Sequence, residues 1–330
     1  MTPREQAGQV LMTAGTVAEL QGLAGVVRRY SLAGVMVRGR SSAGTKAVAA
    51  ALRPVRAAAP HDLPLLVATD QEGGDVQVLS GAGFSTIPSA VDQAGWTDPM
   101  LEARARGWGR ALVNAGVNLD LAPVADTPCA STERDNPPVA DLDRNYGDDP
   151  GAAGRSVAAV VRGLGTAGVA TIVKHFPGLG CVRENTDTTE HVVDRALTTG
   201  SSRLQPFEQG IEAGASVVMV SSATYARIDP SNPALFSAKV LDLLRSRLGF
   251  EGVVMSDDVG GAAALKPWTP GERVTKFVQA GGDLMLDIVP DDVDAMSKAL
   301  VRKAADDRAF AARLREAAVR VVTVRLTVTH

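Results

Sequence analysis

Residues 170–191 read ATIVKHFPGLGCVRENTDTTEH, and the organisation of the chain follows from this stretch. It opens with a short β-branched apolar run, which is typical of a strand buried on both faces. Lys174 and His175 follow at the point where such a strand ends. The next residues, Phe-Pro-Gly-Leu-Gly, continue neither a strand nor a helix, and they lead into a polar loop that carries Asp187 and His191. The pattern predicts a substrate pocket at the carboxyl end of a buried strand, with a long loop as one wall.

Short apolar runs that end in polar or glycine-rich turns recur along the whole chain. Eight of them are predicted to be strands: 9–12, 34–37, 63–69, 117–124, 171–173, 216–220, 252–255 and 283–288. Alanine- and leucine-rich segments with helical spacing lie between most of these runs. This alternation predicts an α/β fold, a single (β/α)8 TIM-type barrel with its helices outside a closed parallel sheet. An open doubly wound sheet is the alternative, but no glycine fingerprint opens a helix after the first run.

The composition is that of a globular chain with a substantial core, since 45% of its 330 residues are apolar and 22% are charged. The formal net charge of −3 argues against a nucleic-acid or membrane-surface partner. No run of about 18 apolar residues is present to span a membrane. No linker or internal repeat interrupts the sequence, so residues 1–330 are predicted to form one barrel domain, with a C-terminal helix at 311–324 across its outside. The oligomeric state stays open.

Two further features concern location and redox state. The N-terminus lacks a basic-then-apolar signal pattern, so we expect a cytoplasmic protein, or a secreted or lipid-anchored one if a leader has been removed. Cys129 and Cys181 match no metal-ligand spacing, and we expect free thiols unless their two loops meet. Neither a metal nor a cofactor is expected.

In barrels of this kind the working residues sit at the carboxyl ends of the strands. The third run ends at Asp70, the loop after the fourth carries Arg144, and the seventh ends at Asp257 and Asp258. Because successive strand residues point to opposite sides, only one of the last two is expected to face the pocket. Carboxylates that accept hydrogen bonds from hydroxyl groups, joined by arginine, lysine and histidine donors, suit a carbohydrate ligand. No phosphate-cradling loop, Gly-x-Ser-x-Gly elbow or His-x-x-x-His zinc pair accompanies them.

Six segments carry a more specific signal: DQEGG at 70–74, GVNLDLAPVAD at 116–126, DRNYG at 143–147, KHFPG at 174–178, LGFEG at 248–252 and SDD at 256–258. In this order they resemble the signature segments of glycoside hydrolase family 3, and the similarity covers nearly the whole chain. By architecture the chain is most similar to the family's single-barrel bacterial β-N-acetylglucosaminidases. The resemblance implies retaining, exo-acting hydrolysis of β-linked sugars, first of all β-N-acetylglucosaminides, through a covalent intermediate on Asp257. It also implies that the sugar is held by Asp70, Arg144, Lys174 and His175.

Two positions depart from the family pattern. The residue after DQEGG is usually arginine and here is Asp75, which inverts a charge near the pocket rim. The single-barrel enzymes take their general acid from an Asp-x-His dyad on the loop after KHFPG. Here the corresponding positions are Asp187, Thr188 and Thr189, and a threonine cannot deliver a proton near neutral pH.

The identity of the general acid is therefore open. His191 is the one histidine placed on this loop beyond the strand end, two residues past the threonine. Glu184 and Glu190 share the loop and become acids if burial raises their pKa. The remaining alternative is that none of these three residues is catalytic. The catalytic candidates are thus Asp257 as nucleophile, with Asp187 and His191 on the loop.

The altered dyad also leaves the function partly open. Trp268, in the loop just after Asp257, is the candidate for stacking on a sugar ring, with core packing as the alternative. One alternative to hydrolysis is a phosphorylase, in which phosphate replaces water and Arg183 attracts the anion. The other is a sugar-binding protein that has lost, or nearly lost, catalysis.

Overall fold

The computed structural model describes residues 1–60, 63–132 and 135–328, and eight parallel strands form its centre. The barrel strands, numbered in chain order, are β1 Leu11–Gly15, β2 Gly34–Val37, β3 Leu66–Thr69, β4 Leu119–Asp120, β5 Ala170–Phe176, β6 Val217–Val220, β7 Val253–Ser256 and β8 Met285–Asp287. Each strand pairs in parallel with its neighbour in sequence, and β1 pairs with β8. A bridge between Met255 and Leu284 joins β7 to β8. The predicted (β/α)8 barrel is therefore confirmed.

The strands are apolar on both sides because both sides are covered. In β3, Leu66 and Ala68 belong to the cluster that fills the barrel interior, whereas Val67 between them packs against the surrounding helices. This alternation follows from the two-residue period of a strand. It explains why the sequence shows continuous apolar runs rather than an apolar and polar alternation.

Helices connect the strands and cover the barrel. The α-helices are α1 Pro3–Gln9, α2 Leu20–Tyr30, α3 Gly44–Arg56, α4 Ala90–Ala94, α5 Asp98–Asn114, α6 Pro150–Thr166, α7 Gln205–Glu212, α8 Ala238–Asp242, α9 Pro270–Ala280, α10 Asp292–Asp306 and α11 Arg308–Thr327. A π-helical turn, Leu243–Arg247, extends α8. Within the described residues no helix is long and apolar enough to cross a membrane.

Several short elements lie in the loops. Short 3₁₀ helices occur at Ala140–Leu142, Ser202–Leu204, Ala234–Phe236 and Ala263–Leu265. The accessory strands are Gln71–Gly73 with Val76–Gln77, and a three-stranded group of Val193–Asp194, Thr224–Tyr225 and Asp229–Pro233. The first two pair directly after β3, and the others join the loop after β5 to the loop after β6. These elements build up the end of the barrel at which the strands finish.

The C-terminal helix corrects one expectation. Val321 and Val324 of α11 join the cluster of side chains inside the barrel, so the helix does not simply cross the outside. The fully buried guanidinium of Arg325 donates to the carbonyls of Leu63 and Pro64, just before β3. The helix therefore closes the barrel at the amino ends of the strands, and the cavity at the other end has a filled floor. The assignment of residues 1–330 to one domain stays a prediction.

The two cysteines form a disulfide, so the expectation of free thiols was wrong. Cys129 follows β4 and Cys181 follows β5, with Cα atoms 5.0 Å apart and a sequence separation of 52. The two loops meet because backbone and side chains join them independently of the sulfurs. The amide of Cys129 donates to the carbonyl of Gly180, and Asn136 Nδ2 donates to the carbonyls of Leu179 and Val182.

We expect reduction of this disulfide to lower the stability of the fold. Closing a loop of this length removes entropy from the unfolded chain, and native disulfides typically contribute about 2–4 kcal/mol. Thermal unfolding with and without a thiol reductant measures the effect. The double variant Cys129→Ser, Cys181→Ser is the control. It should melt at the same temperature as the reduced parent, whether or not reductant is present. Two titratable thiols in the denatured, unreduced protein would contradict the bridge.

Candidate active site

A cavity of about 490 Å³ opens at the carboxyl ends of the strands. It is lined by Met36, Asp70, Val76, Leu121, Pro138, Leu142, Arg144, Lys174, His175, Leu179, Asn185, Thr186, Asp187, Met219, Asp257, Asp258, Gly261, Leu286 and Ile288. The floor is made of strand residues, whereas the walls are made of loops. Most of the candidate site residues from the sequence lie here, whereas Glu184, Glu190, His191 and Trp268 do not.

The end of β5 supplies two adjacent side chains to the cavity. Lys174 and His175 both line it, although neighbouring residues of a regular strand point to opposite faces. The pairing of β5 with β6 shifts register between Val173 and Phe176, and the peptide bond between Lys174 and His175 is cis. A register shift of this kind re-aims a side chain. The sequence placed both residues after the strand, whereas the structure places them within it.

A buried network of charges holds the lysine. Its ammonium lies 2.7 Å from Asp70 Oδ1 and 2.6 Å from Glu72 Oε1. Glu72 also accepts two parallel hydrogen bonds from Arg144, at 2.8 and 2.9 Å. Burial by itself would raise the pKa of Glu72, but the charges and hydrogen bonds of Arg144 and Lys174 lower it to about 2. Glu72 is thus the central anion of the network.

Sequence reasoning missed this role of Glu72. The residue lies inside the DQEGG segment, but nothing in that segment shows that its carboxylate lies beneath the lysine of β5 and the arginine after β4. Its position in a motif that precedes a glycine pair was the one available signal. Arg144 and Lys174 are consequently oriented by Glu72, while Asp70 stands at the cavity surface with its side chain 23% exposed.

His175 is oriented by a second carboxylate that sequence reasoning also missed. Its ring Nδ1 lies 2.7 Å from Oδ2 of the fully buried Asp126. A carboxylate only accepts hydrogen bonds, so Nδ1 carries the proton in this contact. Asp126 also accepts the backbone N–H groups of His175 and Leu179. The GVNLDLAPVAD segment ends at this aspartate, and its place after β4, next to the end of β5, was the signal.

Asp120, at the end of β4, is a third buried carboxyl group beneath the cavity. It accepts a hydrogen bond from the backbone N–H of Gln71. Burial raises its pKa to about 8, and Lys174 opposes the rise while Asp70 and Glu72 add to it. The group is therefore protonated at neutral pH, which keeps a further negative charge out of the network.

Asp257 and Asp258 both line the cavity, whereas the sequence predicted that only one would face it. The rule that successive strand residues point to opposite faces does not apply to them, because β7 ends at Ser256. The two carboxyl groups are nonetheless different. Asp258 accepts hydrogen bonds from the backbone N–H groups of Gly260, Gly261 and Ile288, and so binds its own loop. From the residues that the structure describes, Asp257 accepts one, from the N–H of Asp258, which leaves its other oxygen available to a ligand.

The loop after β5 contributes Asp187 to the cavity wall. The other three candidates on that loop, Glu184, Glu190 and His191, are exposed and do not line the cavity. Trp268 does not line it either. The indole packs edge-to-face on Phe236 with ring centroids 5.2 Å apart, which fits the packing alternative rather than sugar stacking.

A closed barrel with this cavity is an enzyme scaffold, and its set of carboxylates and cations suits a polyhydroxylated substrate. Residues 2–324 match the model of the glycosyl hydrolase family 3 N-terminal domain. The chain belongs to glycosyl hydrolase family 3, and it is a glycosidase.

Individual relatives agree with this assignment. A β-hexosaminidase of Stenotrophomonas maltophilia (strain K279a) is 37% identical over 273 residues, which cover 80% of this chain and 78% of the relative. One from Xylella fastidiosa (strain M23) is 38% identical over 283 residues, covering 83% and 81%. The crystal structure of a β-N-acetylhexosaminidase from Beutenbergia cavernae DSM 12333 superposes with a TM-score of 0.95 at 41% identity, over 98% of both chains.

Proposed function

We propose that this protein is a retaining, exo-acting β-N-acetylglucosaminidase that forms a covalent glycosyl intermediate on Asp257. The observation that carries the proposal is the cavity that Asp257 lines together with Asp70, Lys174 and His175. Its volume of about 490 Å³ lies in the range of roughly 300–1,000 Å³ usual for small-molecule sites. Because the barrel beneath is filled, the cavity ends blindly, which suits removal of a terminal sugar.

Four residues of the cavity are proposed to bind the sugar, and Asp257 is proposed to react with it. Asp70 accepts hydrogen bonds from sugar hydroxyls, and Lys174, His175 and Arg144 donate to sugar oxygens. Asp257 attacks the anomeric carbon, and water later releases the sugar from it, so two displacements return the original configuration. The acetamido preference is supported by the relatives of 37–41% identity, which are named β-hexosaminidase or β-N-acetylhexosaminidase.

A substrate panel tests this proposal. We expect dinitrophenyl β-N-acetylglucosaminide to be hydrolysed faster than the matching β-glucoside, and the first product to be the β-anomer by NMR. Added phosphate should not accelerate turnover, because the carboxyl groups of Asp70, Asp187, Asp257 and Asp258 line the cavity and disfavour a second anion beside them. Arg183, suggested above as an anion site, is ion-paired with Asp135 and lies outside the cavity lining.

Two results of the same panel would contradict the proposal, and each would favour one of the two alternative functions. Sugar phosphate among the products, with a rate that rises with phosphate concentration, makes the protein a phosphorylase. Saturable binding of N-acetylglucosamine, without turnover of even the most activated glycoside, makes it a sugar-binding protein.

The disulfide bears on the location of the protein. Disulfides persist in oxidising compartments, so the Cys129–Cys181 bridge favours secretion over the cytoplasm.

A further inference from the structure

The loop after β5 has one titratable side chain in the cavity, although four were considered for catalysis. Among the described residues of the loop, Asp187 lines the cavity and Glu184, Glu190 and His191 do not. Thr189, at the position where the family has its histidine, does not line it either. The altered dyad therefore still presents its aspartate to the ligand while its second member is absent.

The position of Asp187 is fixed by backbone contacts to the loop that carries the proposed nucleophile. The carbonyl of Asp187 accepts the N–H of Ala263, and the carbonyl of Thr186 accepts the N–H of Ala264. Both alanines follow Asp257 in the loop after β7. The near end of the Asp187 loop is held by the disulfide and by Asn136. The structure thus places the carboxyl group at the cavity without any movement of the loop.

The hydrogen bonds of the three carboxyl groups on this side of the cavity differ. Asp258 accepts three backbone N–H groups and Asp257 accepts one, while the carboxyl group of Asp187 accepts none from the described residues. Removal from water raises the pKa of all three carboxyl groups, and backbone donors oppose the rise at Asp257 and Asp258 but not at Asp187. Although Asp187 is exposed at the cavity mouth, removal from water and the charge of Asp257 raise its pKa.

We propose that Asp187 itself, rather than a histidine, is the general acid and base of this enzyme. This inference rests on the proposed function and deepens it. In the first step the carboxylic acid of Asp187 gives its proton to the glycosidic oxygen as the C1–O bond breaks and the bond from Asp257 to C1 forms. In the second step the carboxylate takes a proton from water as the water oxygen bonds to C1 and Asp257 leaves.

The variants Asp187→Asn and Asp187→Ala test this assignment on aryl β-glycosides of increasing leaving-group pKa. We expect kcat/KM to change little for dinitrophenol, which leaves without a proton, and to fall by roughly 10²–10⁴-fold for a methoxyphenol. With dinitrophenyl substrates kcat should fall, because the second step lacks its base. Azide, which needs no base, should restore kcat in Asp187→Ala and yield the β-glycosyl azide.

Other results decide against Asp187. A uniform fall in kcat/KM for all leaving groups, without azide rescue, would make it a structural residue. A leaving-group dependence that becomes steep in His191→Ala, Glu184→Gln or Glu190→Gln, and not in Asp187→Asn, would assign the acid to that residue. The series uses whichever aryl β-glycoside the parent hydrolyses fastest, so a wrong sugar preference does not affect it. A parent inactive on every aryl β-glycoside overturns both proposals.

Discussion

Replacing Asp257 with alanine is expected to lower kcat/KM by on the order of 10⁴–10⁶-fold for every aryl β-glycoside, whatever its leaving group. The residue is proposed to form the bond to C1, so its loss blocks the step that all substrates share. Asp187→Asn should by contrast spare the best leaving groups. The carboxylate of Asp258 is unsuited to take over, because three backbone N–H groups hold it against its own loop. Steady-state kinetics of the two variants on one substrate series separates the two roles.

Rescue by azide also distinguishes the roles of Asp257 and Asp187, because the two alanine variants should give glycosyl azides of opposite anomeric configuration. In Asp257→Ala the anion enters from the face that the carboxylate has vacated and should give the α-glycosyl azide, opposite to the product of Asp187→Ala. Asp75→Asn is the matched control, because it removes a carboxylate that is exposed and outside the cavity lining. We expect its kinetics to equal those of the parent. Wild-type rates in Asp257→Ala, or a β-azide from it, would show that another residue is the nucleophile.

The fold was readable from the sequence because burial on both faces produces apolar runs at the barrel strands. The predicted run 34–37 coincides with β2, whereas the run 117–124 contains a β4 of two residues, Leu119–Asp120. An apolar run indicates burial, and it does not indicate strand pairing. The predicted run is longer than β4 because the loop residues that follow the strand are also buried. The same limit explains the error on the C-terminal helix, since periodicity does not show which part of the barrel an apolar helix face covers.

The site was readable to the extent that its residues lie at strand ends. Asp70, Lys174 and Asp257 follow from that rule alone, and the cavity contains all three. Their buried partners do not follow from it. Glu72 and Asp126 contact side chains of β5 and, for Glu72, of the loop after β4. A pairing between such distant segments leaves no local pattern. The disulfide was missed for the same reason, because the approach of two loops is a property of the fold.

The second large effect concerns stability and centres on Glu72. Its carboxylate is 5% exposed and lies between two cations, the buried Lys174 at 2.6 Å and the largely buried Arg144 at 2.8 Å. Glu72→Gln keeps the shape but leaves Lys174 paired with Asp70 and Arg144 without its carboxylate partner. Breaking a buried ion pair from one side typically costs about 3–5 kcal/mol, since the remaining charge stays out of water. Urea unfolding at neutral pH should show a loss of this size.

The pH dependence of the parent tests the same network. The pKa of Glu72 is lowered to about 2 in the folded protein, against roughly 4.3 in an unfolded chain. A lowered carboxyl pKa adds stability that is present above the unfolded value and is lost as the pH falls toward the folded one. The free energy of unfolding of the parent should therefore decrease between about pH 5 and pH 3, and Glu72→Gln should show a shallower decrease.

An exposed ion pair provides the control for this prediction. Glu102 and Arg162 lie 2.9 Å apart with side chains 39% and 44% exposed, and pairs of this kind contribute about 0–1 kcal/mol. We expect Glu102→Gln to unfold almost as the parent does and to keep its acid dependence. If Glu72→Gln costs no more than Glu102→Gln, Glu72 does not stabilise the buried cations. In that case the positions of Lys174 and Arg144 would depend on the barrel backbone rather than on their shared anion.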